Sequence, residues 1–377
     1  MKIINAFTLV LLILFSQDLF AQVDCRIIFD AGSSGTRLHI YEKASGENAW
    51  IDHEGPKVDA IADPVREIRG KNWSNMQDTV DLIPKSLTLI KMPGQWHPFD
   101  WEKKCKIISA SVLATAGMRI AEQQQPEKSK IIWNKIKYAL ISKLGKDVPI
   151  TARTLTGFEE GLYAWLSVLK IRKGQPNFGI AEMGGASAQV AFSCNNCPGS
   201  SKILLGGGKS INIFSHSFLG LGGDVAYDLF GTSPLCAYGA GATDPKWNEK
   251  TCAETINIKT AAGIKDPFNF NNGKKDSSVK IPLNQAMEWY LTGAFAHMGG
   301  GLSSDKCCRS KGQCYEPKTS CFRSVFLQKF LDDLGIKSSS KKVDASWTLG
   351  ATICQENNCL QHAGPLNCRW FIKGCLN

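Results

Sequence analysis

Ile28-Phe29-Asp30-Ala31-Gly32-Ser33-Ser34-Gly35-Thr36-Arg37 is the stretch on which the reading of this chain turns. An apolar run ends at Asp30, and a second strand-like run, Leu38-His39-Ile40-Tyr41, follows Arg37. Between them lies a turn of Gly, Ser and Thr, too small to pack. Its glycines can take positive φ and its hydroxyls add donors. Taken alone, the stretch is a β-hairpin with a Gly-Ser tip. Its open amides and single cation also suit a concentrated negative charge such as a phosphate. Asp30, at the strand end, is placed to hold a hydrated metal beside it.

A second copy decides between these readings. Phe178 to Met183 reads as a strand carrying Glu182 near its end, and Gly184-Gly185-Ala186-Ser187-Ala188-Gln189 leads into Val190-Ala191-Phe192. Glu182 lies 152 residues after Asp30. An acid, a small-residue turn and a returning strand, met twice, are the pattern of two similar halves facing a shared ligand. Gly206-Gly207-Gly208-Lys209-Ser210 is a decoy: a P-loop needs glycine where Ile203 stands, and Ile211 to Phe214 alternates like a strand.

Between the copies, Lys106 to Ser111 reads as a buried strand leading into Val112-Leu113-Ala114-Thr115-Ala116-Gly117-Met118-Arg119. Met76, Val80, Ile83, Leu87 and Ile90 have helical spacing behind Ser74 as an N-cap, with Gln77 completing a capping box. Pro84 is expected to kink or split that helix. Ile132, Ile136, Leu140 and Leu144 form another stripe, and Val148 to Arg153 a strand. Leu162, Trp165 and Leu169 share a helical face, so Glu159 and Glu160 fall in its first turn. There they either complement the helix dipole or point into a cleft as a base. Later, Met287, Leu291, Ala294 and Met298 read as a helix face, and Phe326, Phe330, Leu331 and Leu334 as another, stopped by Gly335. Ser338-Ser339-Ser340-Lys341-Lys342 is the linker candidate.

At 377 residues two domains are the expectation, and 43% hydrophobic with 21% charged residues is a globular composition. The formal charge of +10 suits an anionic ligand. No run of five basic residues supports a nucleic-acid or membrane-surface role. Lys2, the apolar Ala6 to Phe15 and Leu19-Phe20-Ala21 read as a signal peptide over residues 1–21. The apolar run is short for a span, so a secreted, extracellular or periplasmic location with no stable membrane span after cleavage is expected, an uncleaved anchor being the alternative. All 14 cysteines follow Ala21, and their even number implies up to seven disulfides. Cys194-Asn195-Asn196-Cys197 has redox or zinc spacing, but no second pair completes a zinc site, so a structural disulfide is expected. Asn72-Trp73-Ser74 is a sequon.

Five stretches together resemble the nucleoside triphosphate diphosphohydrolases, or apyrases, of the GDA1/CD39 family. They are Phe29 to Arg37, Ala114 to Arg119, Gly157 to Trp165, Met183 to Gln189, and Ser346-Trp347-Thr348-Leu349-Gly350, with His216-Ser217-Phe218-Leu219 as a further string. The resemblance covers essentially the whole mature chain. It implies an α/β fold of two RNase H-like domains of the actin/Hsp70/sugar-kinase superfamily, with an interdomain active-site cleft. The expected domains are 22–156 plus 338–377, and 157–337. It also implies removal of terminal phosphates from nucleoside tri- and diphosphates, using Ca²⁺ or Mg²⁺.

By the same resemblance, Ser33, Ser34, Gly35, Thr36 and Arg37 hold phosphates from one side, and Gly184, Gly185 and Ala186 from the other. Thr115 adds a polar contact. Asp30 and Glu182 hold waters on the metal, Glu160 is the base, and Ser187 and Gln189 orient the attacking water. Two departures stand out. Glu182 replaces the usual Asp, and Ala188 the usual Thr. The rival readings are a diphosphate-restricted phosphatase, an exopolyphosphatase-like enzyme, and a catalytically inactive nucleotide-binding or adhesion protein.

Overall fold

Period-two alternation in the opening stretch makes a hairpin whose two faces meet different partners. The structure is a computed structural model that describes residues 22–44, 49–62, 76–95, 97–231, 233–237, 247–269, 277–283, 287–309, 314 and 317–361. Residues 1–21, the sequon, Ser74 and the last two cysteines lie outside them.

Strands β1 (Val23–Gly32), β2 (Gly35–Lys43) and β3 (Trp50–Val58) form an antiparallel meander. Helix α1 (Met76–Leu89) follows and runs through Pro84 without being split. Then come β4 (Cys105–Ala114), α2 (Ala116–Gln124), α3 (Pro126–Leu144) and β5 (Ile150–Thr154). The sheet order is β3-β2-β1-β4-β5, with β4 and β5 parallel to β1. The disulfide Cys25–Cys105 ties β1 to the start of β4.

After α4 (Gly157–Ile171) the layout repeats. Strands β6 (Gly179–Met183), β7 (Ser187–Ser193) and β9 (Lys209–Leu219) are the antiparallel trio, with β8 (Ser201–Gly206) beyond β9. Helix α5 (Gly223–Phe230) follows, and β10 (Lys259–Thr260), β11 (Gly263–Asp266) and β12 (Ser277–Val279) make a separate small sheet. Strand β13 (Trp289–Gly293), α6 (Pro317–Leu334), β14 (Lys341–Lys342) and α7 (Trp347–Asn357) follow, with short helical segments such as Trp101–Lys104 and Glu249–Thr255 between the main elements. The second large sheet runs β14-β13-β6-β7-β9-β8, with β13 and β14 parallel to one another and to β6. Both sheets thus place two parallel strands on one side of the first strand and its hairpin partner on the other.

Three apolar layers hold this together. Ile27, Phe29 and Ala31 point to the outer side of the first sheet, against α1 and α3. Ala181, Met183 and Ala188 point to the outer side of the second, against α6. Ile28 and Ile180 point inward, where α4 and α7 pack between the sheets. The helices cross closely enough that a Cβ on Gly350 would sit 1.8 Å from the carbonyl oxygen of Tyr163. Because alternate residues share a face, Asp30 follows Ile28 inward and Glu182 follows Ile180.

Several expectations change here. Residues 287–298 are not a helix: Trp289–Gly293 is a strand followed by a 3-10 turn at Ala294–His297. A parallel strand buried on both faces reads as a continuous apolar run, which helical spacing also fits. Lys341 and Lys342, within the expected linker, pair with Tyr290 and Leu291 of the second sheet. Among the described residues six disulfides form, including Cys194–Cys197. No described helix is long and apolar enough to cross a membrane.

Candidate active site

The two acid-ending strands open into one cleft of about 240 Å³. In the first hairpin Asp30 pairs with Arg37 and Gly32 with Gly35, leaving Ser33 and Ser34 as the tip. In the second, Glu182 pairs with Gln189 and Met183 with Ala188, so Gly184 to Ser187 make the turn. The tips face each other. A Cβ on Gly185 would lie 2.4 Å from both Ser33 Oγ and Asp224 Oδ2, so any side chain there must displace those two polar tips.

Asp30, Ser33, Ser34 and Thr115 line the cleft from the first half. Glu182, Gly184, Gly185, Ala186 and Ser187 line it from the second, and Glu160 from α4. Gly35, Thr36 and Arg37 stand behind the lining: Thr36 is buried, and the Arg37 guanidinium donates to Glu54 across the β2–β3 pair. Of the expected first phosphate loop, only Ser33 and Ser34 reach the cleft. Lys57, rather than Arg37, donates to Ser34 Oγ at 3.2 Å.

Helix capping separates the two glutamates. Thr156 is the N-cap of α4; its Oγ1 accepts from the Glu159 N–H, and its own N–H donates to Glu159 Oε2 at 2.8 Å. Arg153 donates to both Glu159 oxygens. Burial opposes ionisation of Glu159, yet Arg153 and Thr156 outweigh it and hold its pKa below the usual value. Glu159 is thereby committed to the cap. Glu160, one residue on, turns to the cleft and accepts from Arg119. Arg119 also donates to Ser217 Oγ at 3.1 Å and to Ser187 Oγ at 3.3 Å. Gln189, wholly buried behind the lining, donates to the hydroxyls of Ser187 and Ser217.

A model of the GDA1/CD39 (nucleoside phosphatase) family matches residues 21–327. The chain belongs to this family. It is 33% identical to Probable apyrase 5 of Arabidopsis thaliana over 211 residues, which cover 54% of this chain and 41% of that protein. It is 28% identical to ectonucleoside triphosphate diphosphohydrolase 6 of Rattus norvegicus over 219 residues, 52% of this chain and 43% of that one. The aligned stretch therefore spans about two-fifths of these relatives' length. The fold is similar to that of nucleoside triphosphate hydrolases from Neospora caninum, with a TM-score of 0.56 at 12% identity, covering 88% of this chain and 92% of that one.

In this GDA1/CD39 family chain the three cleft carboxylates crowd one another. Burial raises the Asp30 pKa to about 6, while His39, Arg37 and Lys57 partly oppose the rise. Burial also raises Glu160; Asp30 adds to the rise, and Arg119 opposes it. Glu182 is pushed furthest above the usual carboxyl range, by burial first and then by Glu160 and Asp30. Its Oε2 is buried with no hydrogen-bond partner. Among the described residues no group of three His, Cys, Asp or Glu side chains stands ready to hold a metal ion directly. An orphaned carboxylate oxygen beside two more acids fits a cation held through waters, which hard oxygen ligands tolerate well.

Sequence reasoning left Arg119, Ser217 and Lys57 out of the site. Arg119 ends a quoted motif and Ser217 lies in another, so a signal existed for both. Lys57 sits on a strand with no motif of its own. Ala345, Ser346 and Trp347 also line the cleft, because α7 starts at its edge.

Proposed function

We propose that this chain removes terminal phosphates from nucleoside tri- and diphosphates, giving monophosphate and inorganic phosphate, with Ca²⁺ or Mg²⁺ as cofactor. The observation that carries the reading is the apposition of Ser33 and Gly185 across a cleft floored by Glu160. Phosphoryl transfer asks for positioning and charge neutralisation more than covalent work. Small turns that bring backbone amides from two sides suit the terminal phosphates. Membership of the GDA1/CD39 (nucleoside phosphatase) family supports the same reading.

Glu160 takes the proton as a water oxygen bonds to phosphorus and the bond from phosphorus to the bridging oxygen breaks. A carboxyl whose pKa is raised toward working pH suits a general base. Arg119 holds the Glu160 carboxylate in place, while Ser187 and Gln189 orient the water. Asp30 and Glu182 would hold the divalent cation through waters. Bound there, the cation offsets phosphate charge. We read the two similar sheets as two RNase H-like halves of the actin/Hsp70/sugar-kinase type. The first half ends near residue 156, and the second runs through 342.

The test is phosphate release from ATP, ADP, AMP and long-chain polyphosphate, with Ca²⁺, with Mg²⁺ and with EDTA. Release from ATP and ADP, none from AMP, and loss of release in EDTA are expected. Release from polyphosphate alone would replace this reading with an exopolyphosphatase.

A further inference from the structure

Helix α3 presents a face that the cleft does not use. Its inward stripe, Ile132, Ile136 and Leu140, is buried in the core outside the first sheet. The outward face carries Ile131 and Tyr138, 56% and 71% exposed. Seven residues apart, they lie about 20° from one another around the helix axis. Lys130 and Lys137 border that line on one side, and Lys135 on the other; all three are exposed. Residues 126–146 hold six lysines and one glutamate, and so supply +5 of the chain's formal +10. No basic run exists in the sequence because Ser129, Ile132 and Ile136, all buried, and the exposed Ile131 stand between the lysines. The helix sets Lys130, Lys135 and Lys137 beside the exposed line, while Lys143 pairs with Glu102.

We propose that this face docks on an anionic lipid surface. Charge complementarity selects a negatively charged partner, and the two apolar side chains select among such partners. A tyrosine ring suits the headgroup level of a membrane, and lysine stems can lie along apolar surface while their ammonium groups reach lipid phosphates. A nucleic-acid backbone would use the lysines and leave Ile131 unmatched. The 19-residue helix, a straight rod about 28 Å long, meets a plane more readily than a groove. It stands on the opposite side of the first sheet from α4, so docking leaves the cleft open.

The test floats the full chain with vesicles of phosphatidylcholine alone, and of phosphatidylcholine mixed with phosphatidylglycerol. The quantity read is the ratio of the two affinities, which cancels any charge-independent binding by other segments. The wild type is expected to favour the mixed vesicles, and to lose that preference in high salt as charges are screened. Combining Lys130→Glu with Lys137→Glu is expected to lower the ratio at least about twentyfold. Combining Ile131→Ser with Tyr138→Ser is expected to weaken mixed-vesicle binding about tenfold. These residues are exposed and none lines the cleft, so melting temperature and phosphate release serve as unchanged controls. An unchanged ratio in the charge-reversed variant would overturn the proposal. So would duplex DNA binding as tight as vesicle binding and indifferent to the Ile131 and Tyr138 changes.

Discussion

Asp30 and Glu182 lie near the ends of matching strands on the inner faces of two sheets with the same core strand order, yet their surroundings differ. Around Asp30 stand His39, Arg37 and Lys57, and its pKa rises only to about 6. Around Glu182 the strongest neighbours after burial are two other acids, Arg119 opposes their effect, and one oxygen has no partner. The turns differ as well. An added Cβ on Gly32 would make ordinary contacts at 3.4 Å or more, whereas one on Gly185 collides at 2.4 Å. Repetition of a motif copied the backbone and left the electrostatics free to diverge. The first turn carries its own counter-charge, and the second depends on what binds.

The sharpest break in this comparison comes from the glycines. Gly185→Ala should displace the Ser33 hydroxyl and the Asp224 carboxylate from the turn and cost up to roughly 10²-fold in turnover, the scale of a misplacement near 1 Å. Gly32→Ala should cost much less, and steady-state phosphate release compares the two. Next in size is cation linkage. A divalent ion at a hundred times its dissociation constant should stabilise the wild type by about 2.7 kcal/mol, read as a rise in melting temperature. Glu182→Gln should make the metal-free protein more stable and shrink that rise. Asp30→Asn should raise metal-free stability less, because its cations already offset part of the cost.

pH sharpens the same contrast. The folded Asp30 binds its proton more tightly than the unfolded chain, whose carboxyl titrates near pH 4. Its contribution is therefore fully present below about pH 4 and is lost as pH rises through about 6. In EDTA, the wild type should lose stability to denaturant across that window, and Asp30→Asn should lose less. The smallest effect concerns the first turn's cations. Arg37→Ala removes a half-exposed pair with Glu54 and should change stability by about 0–1 kcal/mol. Lys57→Ala, which removes the donor to Ser34, should weaken nucleotide binding more than Arg37→Ala does.

Much of this site was legible because its parts are local. Each turn is a contiguous string of small residues. The repeated order of acid, small-residue turn and returning strand already placed Asp30 and Glu182 at matching points of two halves. What was not legible depends on distant segments meeting. Arg119 reaches Glu160 from another helix, and Lys57 reaches Ser34 from the next strand. Arg37, read as a phosphate ligand, pairs with Glu54, a partner that strand pairing brings near. Trp289–Gly293 resembled a helix because burial on both faces erases the alternation that marks a strand. Glu159 and Glu160 could not be told apart until the cap claimed one of them.

That last pair holds the most direct test of the account. Glu160→Gln and Glu159→Gln are made side by side, and phosphate release, nucleotide binding and melting temperature are measured for each. Glu160→Gln should bind nucleotide and lose about 10²–10⁴-fold in release, with its melting temperature kept or raised. Glu159→Gln should lose about 1–3 kcal/mol of stability with its charge-assisted cap and retain turnover while folded. Release at the wild-type rate from folded Glu160→Gln would contradict the assignment of Glu160 as the base.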